Sequence, residues 1–287
     1  MKYVKPDSFD AAAQLLRDEQ GIARILSGGT DVLVMLKAEM VEPDLMVDLK
    51  HLPGMQDIVA ENGGFRIGAA VPTARMGEHA ALVAMWPGVV EGAELIGSTQ
   101  VQNRATMAGN LCTGSPAADS VPAMVTAGAV ARLHGPDGVR DVPVGDIPTG
   151  PGKNILAKGE FITSIYLPAR PERAGDAYLR FIPRTEMDIA VSSAAVSLVL
   201  DDAGVVTDAN VAIGAVAPTV RLVADAGAAI IGSKLDDDAV AKMVAAVEAA
   251  CSPINDKRGT IAFRTTTAGV LAKRAAHIAY IRAGGQS

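Results

Sequence analysis

Apolar positions in the first half of the chain recur in short periods that keep changing type. Asp7 and Ser8 precede a stretch in which Phe9, Ala12, Leu15 and Leu16 share one face, which predicts a capped amphipathic helix. Residues 23–26 read as a strand running into Ser27-Gly28-Gly29-Thr30-Asp31. Thr30 or Asp31 is then expected to cap a helix through Glu39, with Asp31 turning its carboxylate back onto that helix and Val32, Met35 and Leu36 facing inward. Residues 45–49 are a further strand, and 56–60 with 65–69 flank Asn62-Gly63-Gly64, a hairpin signal. Helices over 74–85 and 89–96, separated by Trp86-Pro87-Gly88, lead into a long segment of small and hydroxyl residues, 97–122. A short helix over 120–127 follows, with Pro122 in its first turn, where a missing N–H is tolerated. A second hairpin, 129–134 with 139–142 about Pro136-Asp137-Gly138, and a strand over 161–167 stopped by Pro168 complete this half.

The polar, proline-containing run 168–175 suits a domain boundary. Beyond it three strand-like runs, 177–182, 190–200 and 205–215, precede three helical ones starting near Thr219, Asp236 and Ile261. Strands followed by helices indicate an α+β unit with a three-stranded antiparallel sheet. No internal repeat or low-complexity tract is visible.

Composition narrows the function classes. The 287 residues carry a net charge of −6 without a Lys/Arg block, which disfavours a nucleic-acid or anionic-membrane surface. No apolar run is long enough to span a bilayer, and the N-terminus lacks the apolar region of an export signal, so the cytoplasm is the expected location. Cys112 and Cys251 are the two cysteines and lie far apart, which excludes a cluster or zinc site built from protein thiolates. His79, His134 and His277 have no triad-like neighbours and read as structural, so no catalytic residue is assigned.

What remains is the pair of Gly-containing segments. Ser27 to Asp31 and Thr106-Met107-Ala108-Gly109-Asn110 are rich in small residues, and main-chain amides in such turns bind phosphate where side chains would obstruct it. Neither segment is a P-loop or a Rossmann fingerprint. Cys112, inside the second segment, reads as a small filler rather than a redox thiol.

These two segments, together with the run 102–110, Ser115-Pro116-Ala117-Ala118-Asp119 and Arg184 followed by Asp188-Ile189-Ala190, resemble the FAD-binding medium subunits of molybdenum hydroxylases. That family includes the carbon monoxide dehydrogenase medium chain and the flavin domain of xanthine dehydrogenases, and the likeness runs the length of the chain. It implies an α+β fold: a two-subdomain FAD-binding domain of the vanillyl-alcohol-oxidase (PCMH) type over 1–173, then a carbon monoxide dehydrogenase flavoprotein C-terminal-like domain over 174–287. The resemblance places an FAD diphosphate between the amides of roughly Ile25, Leu26, Ser27, Gly28, Gly29, Thr30, Asp31 and Val32 and those of Thr106, Met107, Ala108, Gly109 and Asn110. A side chain at Gly109 would occupy phosphate space. Asp119 falls where the family holds the ribose hydroxyls, although it also stands where it could cap the next helix. Ile162 falls at a main-chain contact to the isoalloxazine, and Arg180 at a basic position near its pyrimidine rim. Ala108 stands where the family usually has a second glycine, which matters if that position needs a positive φ. Arg184 and Asp188, four apart, read as an ion pair.

The implied role is electron transfer, from two 2Fe-2S clusters in a small subunit, fed by a large molybdopterin subunit, through FAD to a final acceptor. A dimer of heterotrimers is the expected assembly. With aromatic residues at 3%, aliphatic side chains are expected to cover at least one flavin face. Two other readings of the residues are a free-standing FAD oxidoreductase of the vanillyl-alcohol-oxidase-like fold and a non-catalytic scaffold.

Overall fold

The computed structural model describes residues 1–286. Its first strand, β1 (Lys2–Val4), lies parallel to β3 (Leu45–Asp48), which in turn pairs in parallel with β2 (Ala23–Leu26). The crossovers are helix α1 (Phe9–Asp18), capped by Ser8 Oγ on the Ala11 amide, and α2 (Val32–Lys37). α1 buries Ala12, Ala13 and Leu16, the face its periodicity specifies. α2 is different. None of its residues is fully buried, and Leu33 and Val34 are 47% and 63% exposed.

Hairpin β4 (Ile58–Glu61) and β5 (Gly64–Gly68) turns at Asn62 and Gly63, both at positive φ, as the short turn between right-twisted strands requires. The predicted helix over 74–85 is two helices, α3 (Thr73–Gly77) and α4 (Ala80–Met85), because His79 Nδ1 accepts the Leu82 amide and restarts the helix. Next come α5 (Pro87–Glu94), α6 (Met107–Cys112) and α7 (Ser120–Thr126). Strands β6 (Val130–Gly135) and β7 (Gly138–Pro143), the small hairpin β8 (Pro148–Gly150) and β9 (Lys153–Asn154), and β10 (Phe161–Leu167) follow. The order β4-β5-β10-β6-β7 makes a five-stranded antiparallel sheet.

The last third holds β11 (Ala174–Phe181), β12 (Ser192–Leu200), β13 (Val206–Gly214), α8 (Ala224–Ile230), α9 (Asp237–Ala250) and α10 (Ile261–Arg282). Its sheet has four strands rather than the expected three, since Arg221 and Leu222, here β14, pair with β13. That pairing holds Arg221 and Leu222 extended and delays the helix expected near Thr219 to Ala224. The sheet is covered on both faces: Ala177, Ala194, Val196 and Ile213 pack toward α9 and α10, while Tyr178 and Ala195 join the core of the first two sheets. Burial on both faces explains why β12 reads as a nearly continuous small and apolar run instead of alternating. Ala268, Ala272, Ala275, Ala276 and Ala279 of α10 are fully buried, and their small size lets that helix lie close on the strands.

Arg170, between β10 and β11, ties the two parts together. It is 9% exposed at its side chain, donates to Asp176 Oδ1 at 2.8 Å and to the Met85 carbonyl, and stacks 4.7 Å over the Trp86 ring. Trp86 Nε1 donates to the Pro168 carbonyl at 2.9 Å. Arg282 of α10 donates to the Asp176 carbonyl and to Glu91 of α5. No helix among the described residues is long and apolar enough to cross a membrane.

Candidate functional site

A cleft of about 740 Å³ separates the small parallel sheet from the five-stranded one, with the two Gly-containing segments on opposite walls. Ile25, Ser27, Gly28, Gly29, Thr30, Asp31 and Val32 line one wall; Thr106, Ala108, Gly109 and Asn110 line the other, and Ile162 lies at the margin. The structure thus gathers most of the residues chosen from the sequence. Leu26, Met107, Asp119 and Arg180 stand behind the surface; Met107 is 2% exposed and packs into the core.

The two segments touch at their bases. An added Cβ on Gly28 would lie 2.8 Å from the Arg104 carbonyl carbon and closer still to its oxygen, so glycine is required there by close approach of two backbones. Gly29, at φ +82°, turns the chain into α2. Ser27 Oγ lies 3.4 Å from Thr106 Oγ1 across the cleft floor. Arg104 contributes its carbonyl; its exposed side chain makes no hydrogen bond or ion pair among the described residues.

Held this way, the walls present unused donors. The amides of Gly28, Gly29, Thr30, Asp31 and Val32 find no acceptor among the described residues, and neither do those of Thr106, Met107 and Ala108. Backbone donors are nearly always paired when removed from water, so two facing runs of free amides form a ready anion cradle. Gly109 and Asn110, expected to contribute amides, do not: Gly109 N–H is used by Thr106 Oγ1 at 3.0 Å and Asn110 N–H by the Thr106 carbonyl at 3.0 Å, capping α6. Asn110 instead accepts from Ser120 Oγ at 2.8 Å. Ala108 lies within α6 without a positive φ, so its Cβ carries no backbone strain.

Asp31 departs from its expected role. Its side chain makes no cap hydrogen bond to α2 but accepts from Thr113 Oγ1 at 2.9 Å, joining the two walls at the exposed mouth. Thr113 and Asn154 are lining residues to which the sequence assigned no binding role, although Thr113 is one of the hydroxyls of the second segment. Asn154 Nδ2 donates to the Cys112 carbonyl at 3.1 Å, and its position in the Gly150-Pro151-Gly152-Lys153-Asn154 turn was the available signal.

Asp119 does not cap α7 either. It is 7% exposed and accepts from Tyr178 Oη at 2.9 Å and Arg180 Nη1 at 2.6 Å. Burial pushes its carboxyl up to about 6, outweighing Arg180 and Tyr178, which pull it down. Arg180 is accordingly a buried ion-pair partner, with its side chain 5% exposed, and not a solvated strand residue. Arg184 and Asp188 do pair, at 3.3 Å, with Arg258 at 3.4 Å on the other carboxylate oxygen.

Cys112 lines the cleft, and burial pushes its thiol up to about 12, so the reactive thiolate is suppressed. Cys112→Ala is therefore expected to leave FAD affinity within about twofold of wild type, the range of a substitution that removes no polar contact. A fluorescence titration that showed a loss of tenfold or more would place the sulfur in the site.

Comparison with known proteins identifies the family and the fold. A family model described as the FAD binding domain in molybdopterin dehydrogenase matches residues 1–170, and one described as the CO dehydrogenase flavoprotein C-terminal domain matches 177–279. The carbon monoxide dehydrogenase medium chain of Afipia carboxidovorans is 33% identical over 281 residues, 98% of this chain and 97% of the relative. The xanthine dehydrogenase FAD-binding subunit of Escherichia coli is 33% identical over 219 residues, 76% of this chain and 74% of the relative. Among solved structures, the reconstituted CO dehydrogenase from Oligotropha carboxidovorans superposes with a TM-score of 0.93 at 32% identity, covering 98% of both chains. Quinoline 2-oxidoreductase from Pseudomonas putida 86 gives a TM-score of 0.90 at 25% identity, covering 99% of this chain and 98% of the other.

Proposed function

The chain belongs to the FAD-binding subunits of the molybdopterin dehydrogenases, and from that premise we propose that it binds FAD in the cleft between its two Gly-containing segments and passes electrons from partner subunits to a final acceptor. The observation that carries this reading is the pair of facing amide runs, Gly28 to Val32 and Thr106 to Ala108, which lack acceptors and flank a cleft of about 740 Å³. Their donor chemistry fits a diphosphate.

FAD, when bound, supplies the redox chemistry, accepting single electrons and releasing a pair. The chain's own residues bind and orient it. The amides hold the diphosphate without adding a full positive charge. On the family resemblance, Asp119, from just behind the cleft surface, would accept from the ribose hydroxyls, and the main chain at Ile162 and the guanidinium of Arg180 would face the isoalloxazine. Because Arg180 is paired with Asp119 at 2.6 Å, its positive charge is largely compensated while Asp119 is ionised. Aliphatic Ile25, Ile96 and Leu156 in the cleft wall exclude water from its apolar parts.

On this reading residues 1–173 form the cofactor-binding domain and residues 174–287 a C-terminal domain of the carbon monoxide dehydrogenase flavoprotein type. The partners are a small subunit with two iron–sulfur clusters and a large molybdopterin subunit, in a dimer of heterotrimers. This chain is the flavin station of that relay, and the organic or inorganic substrate is oxidised elsewhere in the complex. The test is the visible spectrum of gently purified native protein, with the released cofactor and coeluting chains identified. Flavin bands, released FAD and iron–sulfur absorbance from coeluting chains are the expected result. Protein that stays colourless after added FAD overturns the reading.

A further inference from the structure

Tyr178 is one of the largest fully enclosed side chains, and its hydroxyl reaches across the junction between the two parts of the molecule. It belongs to β11, on the face turned toward the first core. Its Oη donates to Asp119 Oδ1 at 2.9 Å while Arg180, two residues on and on the same face, donates to Oδ2 at 2.6 Å. The strand itself is pinned where this happens, since the Tyr178 amide donates to Glu91 Oε2 of α5 at 3.2 Å. Asp119 stands at the head of α7 yet spends no hydrogen bond on that helix. Each carboxylate oxygen has two acceptor sites, so one on each remains open after Tyr178 and Arg180 are served.

We propose that Tyr178 is a positioning residue: its hydroxyl, delivered from the second part of the chain, fixes the Asp119 carboxylate so that its open acceptor sites receive the sugar hydroxyls of the cofactor. The proposal rests on the reading of Asp119 as a cofactor ligand. It makes the FAD affinity of the first part depend on the docking of β11.

The charged and titratable groups facing Asp119 are Arg180 and Tyr178 from β11, with Glu91 of α5 behind them on the Tyr178 amide. Tyr178 and Arg180 both oppose the upward effect of burial on the Asp119 carboxyl. Removing the phenol hydroxyl therefore raises that carboxyl further, and cofactor binding loses the ionised acceptor at a higher pH.

The experiment is fluorescence titration of FAD into the deflavinated full-length chain between about pH 5 and pH 8, for wild type, Tyr178→Phe, Asp119→Asn and the double variant. Wild type is expected to bind more weakly below about pH 6, the acid limb that Asp119→Asn abolishes. Tyr178→Phe is expected to raise Kd about tenfold at neutral pH, the effect of one lost hydrogen bond to a charged group, and to move the midpoint upward. Added to Asp119→Asn it should change nothing further, because it acts through that carboxylate. A fluorinated tyrosine at 178, a stronger donor of nearly the same shape, should move the midpoint downward and serves if the Phe variant does not fold. An impaired Asp119→Asn beside a Tyr178 series with wild-type affinity and midpoint overturns the positioning role and leaves the Asp119 reading standing. Effects of the two substitutions that simply add also overturn it. Asp119→Asn with wild-type binding at every pH removes the Asp119 reading and the proposal together.

Discussion

Gly28→Ala is expected to cost the chain its flavin: protein purified without added cofactor should be nearly colourless, with Kd for FAD raised at least about 100-fold, some 2.7 kcal/mol. The added methyl group would occupy the space of the Arg104 carbonyl, with even the carbonyl carbon only 2.8 Å away, and neither partner is a side chain able to rotate aside. One segment must move, which misaligns the two runs of free amides. Hydrogen bonds weaken steeply once the angle falls, so a diphosphate gripped from both walls loses most of its contacts at once. A fold cost of about 1–3 kcal/mol from overpacking should accompany it. Gly109→Ala is the informative contrast. Its Cβ would meet Thr106 Oγ1 at 2.9 Å, a hydroxyl that can turn away at the expense of the α6 cap. The Gly109 variant should therefore keep more affinity than the Gly28 variant. Wild-type flavin content in Gly28→Ala would show that the contact between the segments does not set the cleft.

Arg170→Ala should be the most destabilising single truncation away from the cleft, by about 3–5 kcal/mol in urea unfolding, because it leaves one member of a buried ion pair without its partner. Asp176 is 2% exposed, and burial already pushes its carboxyl up to about 6 despite Arg170. Folded protein therefore holds this proton more tightly than unfolded protein, and the group's contribution falls as pH rises from about 4 toward 6. Without Arg170 the carboxyl rises further. The variant's deficit should consequently be smaller near pH 5, where Asp176 can stay neutral, than near pH 8, where it must be ionised or bind a proton at a cost. Arg170→Met, which retains apolar contact with Trp86, should recover part of the loss. Equal deficits at both pH values would mean that the arginine acts through packing alone.

Much of this was legible because it depends on local chemistry. Asn62-Gly63, Ser8 before α1 and Pro168 after β10 announce themselves through backbone preferences that no distant contact overrides. Gly28 was legible as a residue but not as a reason, since the carbonyl that demands it comes from Arg104. Asp31 looked like a helix cap because sequence shows the helix and hides Thr113. Tyr178 was missed entirely: an aromatic residue in an apolar strand carries no sign that its hydroxyl reaches a carboxylate 59 positions earlier. Residues 74–85 have continuous helical periodicity, and only the imidazole of His79 taking the Leu82 amide divides them. β14 is too short for any periodicity to show.

Trp86 is the single tryptophan of the chain, and it sits under the Arg170 guanidinium at the seam, not against the cleft. The molecule therefore carries its own optical gauge. Because Trp86 is also buried in the first core, in cofactor-free protein its ultraviolet emission reports the packing of that core together with the closure of the seam, and is silent about the interior of the second part. Emission that reddens during heating before ellipticity falls would reveal a state in which both halves keep their secondary structure but have come apart, and in which Asp119 has already lost the hydroxyl that orients it.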